Sequence, residues 1–432
     1  MQDKTSLSEN KILNIGGVAV NILAEKYGTP LFVFDKKIID GTCKTYKSAL
    51  EKYYGNGIIS YASKAFSAKG IYKIMHENGL GCDVVSGGEL YTALKANFPA
   101  ENIIFHGNNK TQNELEFAIE SGVGNIVVDS FSEAEDINTI CNQKSKKVNV
   151  SIRINPGIEA HTHHFVQTAT ISSKFGFSIS NGDAEKIVKH VKQFKNLNLI
   201  GLHCHIGSQI FEIKSFLIAV DKMLEFYKQL KDSYGYEFPT LNLGGGFGIN
   251  YTELDPEITE KNYEEFIKLI SERVIQKTSQ LELQKPYLIL EPGRSIVGRA
   301  GTTLYTIGSV KEIENVKNYI AVDGGMFENP RYALYQAKYK VIAPLKLNEK
   351  ATKKYTIAGK CCESGDVIAE DVMLPEMNKG EMLAVLCTGA YNYSMASNYN
   401  RNLIPPVVIV ENGKSEYMVK PQTYEDLIRN DV

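Results

Sequence analysis

The 432-residue chain has no excess of charge of one sign. Its 48 Lys and Arg are set against 50 Asp and Glu, a formal net charge of -2. A nucleic-acid partner usually requires a basic face, so none is expected. Long apolar runs are missing too. None approaches the ~18 residues of a membrane span, and no membrane association is expected. The first residues, Met1-Gln2-Asp3-Lys4, lack the basic-then-apolar layout of a secretory signal. Cysteine is scarce: there are seven, an odd number without a framework spacing, and Cys361 and Cys362 are adjacent. A reducing, cytoplasmic setting is therefore expected over a secreted, cross-linked one. Low-complexity segments and internal repeats are absent as well. What remains is a globular composition, 43% hydrophobic, in a chain too long for one ordinary core, so two domains are expected.

The chain carries a rhythm. Short runs rich in Ile, Val and Leu alternate with helical stretches. The expected strands are Ile58–Ala62, Cys82–Val85, Ile103–Phe105, Ile126–Val128, Val148–Ile154, Leu199–His203, Thr240–Leu243 and Tyr287–Leu290. Helical spacing recurs between them, as in Ile71-Ile74-Met75, Leu115-Ala118-Ile119 and Phe266-Ile270-Val274. Alternating βα units imply parallel strands with right-handed crossovers. Eight such units point to an α/β fold with a (β/α)8 TIM-type barrel, and a doubly wound open sheet is the alternative that counting leaves open. Beyond Arg294 the chain becomes rich in Val, Thr and Tyr, with extended runs at Thr302–Val310, Tyr319–Val322, Lys338–Ala343, Met382–Val385 and Val407–Val410. This predicts a second, mainly β domain over 295–432. The barrel is expected over 36–294. Residues 1–35, with the extended Leu31–Phe34, are expected to join the β domain.

Each barrel run ends in polar or glycine residues, and in a barrel those ends converge on one face. Lys64 closes the run Gly57–Ala62. Read alone it is a snorkelling lysine; the sharper reading is an amine for Schiff-base chemistry. Gly244-Gly245-Gly246 follows another strand and lets backbone N–H groups approach an anion, although such a run also serves as a tight turn. His203 and His205 alternate onto one face of a strand. With His161, His163 and His164 nearby, zinc has to be weighed. No carboxylate or cysteine pattern completes a tetrahedral set, and no metal is assigned. A stacking imidazole at His205, with Ser208 reaching a phosphate, fits better beside the glycine loop. Glu291, in Glu291-Pro292-Gly293-Arg294, needs a cation. Arg294 is one candidate and a protonated pyridine nitrogen another. Lysine, imidazole, glycine cradle and carboxylate together describe a pyridoxal phosphate site.

The chain resembles the barrel-type pyridoxal-phosphate decarboxylases of alanine-racemase-like fold, and within them the diaminopimelate decarboxylase family. The resemblance is carried by Tyr61-Ala62-Ser63-Lys64-Ala65, by Cys82 to Leu90, by His106-Gly107-Asn108-Asn109-Lys110, by Arg153 to Thr162, by Lys174-Phe175-Gly176, and by the His205, triple-glycine and Glu291 motifs. In the second domain it runs through Val322 to Met326, Cys362-Glu363-Ser364-Gly365-Asp366, Gly389-Ala390-Tyr391 and Ser394 to Tyr399. It implies that Lys64 anchors the cofactor, His205 stacks on its ring and Glu291 pairs with the ring nitrogen. Ser208, Gly244, Gly245, Gly246, Gly293, Arg294 and Tyr391 would surround the phosphate. Arg294, Arg331, Tyr335, Glu363 and Tyr391 would contact the substrate, and Cys362 would donate the proton.

The resemblance also implies a homodimer with shared active sites, in which the partner chain lends the Cys362–Glu363 loop. The activity expected is pyridoxal 5'-phosphate-dependent decarboxylation of meso-2,6-diaminopimelate to L-lysine and CO2, the last step of lysine biosynthesis. Where the family commonly reads Leu-Ile-Arg-Pro-Ala-Leu-Tyr, this chain reads Glu328-Asn329-Pro330-Arg331-Tyr332-Ala333-Leu334-Tyr335. The arginine and tyrosine stay and the flanks change. The alternatives are a decarboxylase of ornithine, arginine or carboxynorspermidine, and, in a different class, a non-catalytic pyridoxal-phosphate carrier. A carrier has no need of Cys362, Glu363 and Arg331.

Overall fold

The computed structural model describes residues 12–158 and 173–432. His161, His163 and His164 lie outside them. The chain divides into two compact units, one of residues 42–248 and 258–293, the other of 1–41, 249–257 and 294–432.

The first unit is a closed barrel. Its parallel strands follow in the order Gly57–Ala62, Gly81–Val84, Ile103–Phe105, Asn125–Val128, Val148–Asn155, Leu197–His203, Thr240–Asn242 and Tyr287–Leu290, and the last pairs with the first. Pairing of Val148–Asn155 with Leu197–His203 completes the circle and excludes the open sheet. A short Phe177–Ser178 strand adds to the end of Val148–Asn155. Ile103–Phe105 and Asn125–Val128 are buried along their whole length, as strands covered on both faces must be, which is why Ile103–Phe105 and Ile126–Val128 read as unbroken apolar runs. The helices lay one apolar face on them; Lys69–Glu77 buries Ile71, Tyr72, Ile74 and Met75. Serine caps start two of these helices. Ser86 accepts from the Glu89 N–H at 3.2 Å and Ser130 from the Glu133 N–H at 3.1 Å. Both acids then turn back to the strand ends. Beside the glycine loop, Phe247 stacks on Phe216 with ring centroids 4.7 Å apart, each ring fully buried and contributing about 2–3 kcal/mol of apolar transfer.

The second unit is a mainly β layer. Its central strand, Gly301–Ile313, pairs antiparallel with Leu31–Phe34 and with Met382–Leu386, and farther along with Lys317–Val322. Leu31–Asp35 also pairs in parallel with Val407–Glu411, so this early strand sits inside the sheet. Lys353–Ala358, Val367–Leu374 and Lys414–Val419 extend it. These three were not expected from the sequence. Lys353–Ala358 opens on two lysines and Val367–Leu374 carries Glu370 and Asp371, and the charges break the apolar pattern. The third had a usable signal: Asn412-Gly413, both at positive φ, forms the tight hairpin turn to Val407–Glu411. The core of this unit includes Leu31, Val33, Leu304, Ile320, Ile357, Leu383 and Val408.

Candidate active site

The strand ends of the barrel build one cluster. Ala62 ends the strand Gly57–Ala62, a 3-10 turn follows at Ser63–Ala65, and the turn presents Lys64 to solvent. Ala62 is in register with Asp83, which places that carboxyl beside the turn. Burial, reinforced by Glu291, pushes the Asp83 carboxyl well above its usual range, while the Lys64 ammonium pulls it down. Asp83 Oδ1 is buried without a hydrogen-bond partner. Glu89, also raised by burial, accepts from Ser63 Oγ and from the Val85 N–H, both at 2.8 Å, and so ties the lysine turn to the next strand.

Glu291 is the second centre. Its Oε1 takes His106 Nε2 at 2.8 Å and Asn242 Nδ2 at 2.7 Å; His203 Nε2 lies 3.3 Å from Oε2. Register brings these donors together. His203 pairs with Asn242 on one side and with Arg153 on the other. Burial works to raise the Glu291 carboxyl, but the His106 and His203 imidazoles more than offset it and hold the group well below the ordinary carboxylate range. Glu291 is therefore ionised, whereas Asp83 nearby favours its protonated form. Two carboxyls driven apart in this way mark an acid–base site. His106, His203 and Glu291 have the spacing of metal ligands. The Asn242 amide pointing at the same oxygen makes the cluster a set of donors around one anion.

The strand ends at His203, and alternation stops there. His203 is buried, and desolvation pushes its pKa down to about 4. His205 lies in the following turn and takes the Gly245 N–H on its Nδ1 at 3.3 Å. Burial, then the Lys64 ammonium, keep its imidazole neutral. The proton of that neutral ring accordingly sits on Nε2.

The glycine loop is tightly packed. A Cβ at Gly245 would meet the Glu291 carbonyl oxygen at 2.0 Å, and one at Gly246, where φ is +117°, would meet the Gly207 oxygen at 2.5 Å. The Gly244 N–H is taken by Asn242 Oδ1 at 2.8 Å, so two of the three N–H groups already orient Asn242 and His205. Half-buried Ser208 follows His205 in the same turn. Gly293 passes so close to Ala62 that a Cβ there would sit 2.8 Å from the Ala62 side chain. Behind the mouth, buried Lys110 satisfies Gly107 O, Val127 O and Glu133 Oε1 at 2.6–2.8 Å. Arg153 stacks over Phe175 at 4.3 Å.

The mainly β unit builds a second cluster around two arginines. Arg294, 6% exposed, donates Nη1 to the Tyr251 hydroxyl at 2.5 Å and lies 4.7 Å from the centre of the Tyr391 ring. Arg331, 8% exposed, donates Nη1 to Tyr339 at 2.7 Å and to Tyr251 at 3.2 Å. Tyr391 sits at φ +64°, an uncommon conformation for a non-glycine residue. Tyr335 closes the short helix Arg331–Tyr335 and is partly buried. Cys362 and Glu363 lie apart from these groups. Both are exposed; the Cys362 N–H donates to Asn400 Oδ1 at 2.9 Å, and the Tyr399 hydroxyl donates to Glu363 at 3.4 Å. The neighbouring Cys361 is buried, and desolvation, then Asp366, push its thiol up to about 12. Of the adjacent pair, Cys362 is thus the one open to a reactant.

Sequence reasoning missed Asp83, Glu89, His106, Asn242 and Arg153, and it gave His203 no role here. Each lies inside a motif quoted above or at a strand end, but only register shows which of them meet.

A closed parallel barrel with a lysine at one strand end, an ionised carboxylate at another and a neutral imidazole over a glycine turn defines a pyridoxal-phosphate enzyme of the barrel class. Residues 37–298 match the pyridoxal binding domain of the pyridoxal-dependent decarboxylases. The diaminopimelate decarboxylase of Bacillus subtilis (strain 168) is 49% identical over 420 residues, 97% of this chain and 95% of its own. That of Staphylococcus aureus (strain COL) is 44% identical over 425 residues, 98% of each. The crystal structure of diaminopimelate decarboxylase from M. jannaschii with L-lysine superposes with a TM-score of 0.92 at 36% identity, covering 100% of this chain and 98% of that one. This chain belongs to the diaminopimelate decarboxylase family.

The barrel cluster fits pyridoxal phosphate. An exposed primary amine, a neutral imidazole and an ionised carboxylate are the groups its aldehyde, ring face and ring nitrogen require. No helix among the described residues is long and apolar enough to cross a membrane.

Proposed function

We propose that this protein is a carbon–carbon lyase that decarboxylates meso-2,6-diaminopimelate to L-lysine and CO2, the last step of lysine biosynthesis, in the cytoplasm. The observation that carries the substrate is Arg331. It is a buried guanidinium held by two phenols, and no carboxylate among the described residues pairs with it. A buried cation without a counter-ion is costly, and a substrate carboxylate in bidentate contact relieves that cost.

Bound pyridoxal phosphate supplies the electron sink that accepts the charge left when CO2 departs. Lys64 would hold the cofactor through its side-chain amine. Glu291, ionised and fixed by His106, Asn242 and His203, keeps the proton on the ring nitrogen. His205 covers a ring face as a neutral imidazole, its remaining proton on Nε2. Ser208, the Gly244–Gly246 turn, Gly293, Arg294 and Tyr391 serve the phosphate. Arg331 takes the distal carboxylate, Glu363 the distal ammonium, and Tyr335 borders the substrate. Cys362 Sγ delivers the proton to the carbon that has lost CO2.

Cys362 and Glu363 are exposed and form no hydrogen bond with the arginine cluster of their own chain. This supports a homodimer with shared active sites, in which the loop serves a second copy. The test is CO2 release from diaminopimelate, ornithine, arginine, lysine and carboxynorspermidine in parallel. Diaminopimelate should be turned over at least about a hundredfold faster than the rest, as expected when a buried charge is left unpaired. Comparable release from ornithine would refute the substrate.

A further inference from the structure

Tyr251 belongs to the segment 249–257, which leaves the barrel unit and packs in the β unit. The segment is fixed locally: Asp255 Oδ2 accepts the N–H groups of Tyr251 and Thr252, both at 2.8 Å. The Tyr251 ring packs edge-on against Tyr339, centroids 5.3 Å apart. Its hydroxyl is the one atom that both Arg294 and Arg331 contact. A guanidinium can only donate, so the phenol oxygen accepts from both and its lone pairs are in use. Its own hydrogen must point elsewhere, and among the described residues no acceptor takes it.

We propose that Tyr251 is a positioning and specificity-determining residue. It sets the separation of the two guanidiniums and offers its O–H as a further donor to the carboxylate that Arg331 binds. The inference rests on the substrate reading above. Two like charges held on one neutral oxygen are preorganised for an anion, because the repulsion between them is relieved only when the anion arrives. Tyr339 contributes differently, since it touches Arg331 alone of the two arginines.

The test uses Tyr251→Phe holoenzyme, which keeps the ring and removes one oxygen. L-lysine retains the distal carboxylate of diaminopimelate, and cadaverine lacks it. Inhibition by L-lysine should weaken roughly ten- to a hundredfold, the range for a lost hydrogen bond to a charged group, with cadaverine inhibition shifted less than about twofold. KM for diaminopimelate should rise by the same factor as the L-lysine constant, with kcat changed less than about threefold. Cofactor absorption should stay as in wild type, and the thermal midpoint should fall by no more than a few degrees, because two buried guanidiniums lose a neutral acceptor. In an Arg331→Lys background the Tyr251→Phe effect on L-lysine should shrink to about twofold or less.

Unchanged L-lysine inhibition, equal weakening for both inhibitors, full multiplication of the two mutations, or loss of cofactor absorption would each overturn the proposal. If wild-type enzyme releases no CO2 from diaminopimelate, the substrate reading fails. If wild type turns over normally and Tyr251→Phe matches it, only the role of Tyr251 fails.

Discussion

Replacing Glu291 with Gln changes one oxygen for an amide and removes one charge from a site 5% exposed. Three donors converge on this carboxylate, from His106, Asn242 and His203. Hydrogen bonds to a charged group contribute roughly 1.5–3 kcal/mol and neutral ones about 1, so each of the three loses on the order of 1 kcal/mol. One donor must also face the new amide N–H. Either it stays unsatisfied, at roughly 1–3 kcal/mol, or an imidazole changes tautomer. The combined loss is about 4–6 kcal/mol where that donor stays unsatisfied and about 3 kcal/mol where a tautomer changes instead. Part of it should appear in the stability of the apoprotein, measured by urea denaturation. The part that stabilises the protonated ring should appear in turnover. At about 1.4 kcal/mol per decade, a share of 3–4 kcal/mol lowers kcat/KM roughly a hundred- to a thousandfold. The assay is CO2 release from diaminopimelate alongside the visible spectrum of the holoenzyme, whose band should move as the ring nitrogen loses its proton. Glu291→Gln enzyme with kcat/KM within about threefold of wild type and the same band would refute the assignment of Glu291 to the ring nitrogen.

Lys64→Ala should abolish both the visible absorption of bound pyridoxal phosphate and turnover; a wild-type spectrum would show that another amine anchors the cofactor. Cys362→Ala should cut product formation by about two to four orders of magnitude, the usual weight of a general acid, with cofactor affinity little changed. Cys361→Ala, altering a buried thiol, should affect stability and leave rates near wild type, and the opposite ranking would reassign the donor. Glu328, fully buried, accepts from the Tyr305 hydroxyl and the Gly325 N–H, and desolvation pushes its carboxyl up from 4.5 to about 8. The stability this group contributes is full below pH 4.5 and drains as pH rises toward 8, at no more than about 1.4 kcal/mol per pH unit. Glu328→Gln should flatten that part of the curve in denaturation series at several pH values; an unaltered slope would place the proton elsewhere.

The fold was legible because its period was. Strands covered on both sides must be apolar throughout, so Ile103–Phe105 could be bounded to the residue. Lys353–Ala358 and Val367–Leu374 were not legible, because a half-exposed sheet accepts lysines and acids on its open face. In the site, Lys64 and Glu291 stood out as charged residues at the ends of buried strands. Asp83 did not, since its raised pKa depends on burial and on Glu291, more than two hundred positions away in the chain. Strand alternation does not carry the placement of His205, because the strand stops at His203.

By itself the sequence determined the alternating βα rhythm, the glycine turn and the family, because each is written in short-range pattern and motif; closure of the strands into a barrel was decided by pairing. Only the tertiary structure decided protonation and partnership. Register sets His106, Asn242 and His203 around one carboxylate and favours its ionised form, while burial pushes the Asp83 carboxyl the other way. Chain return places Tyr251 on both arginines, and local packing exposes Cys362 while burying Cys361. Those outcomes depend on desolvation and on distances between residues remote in sequence, and no local pattern encodes either.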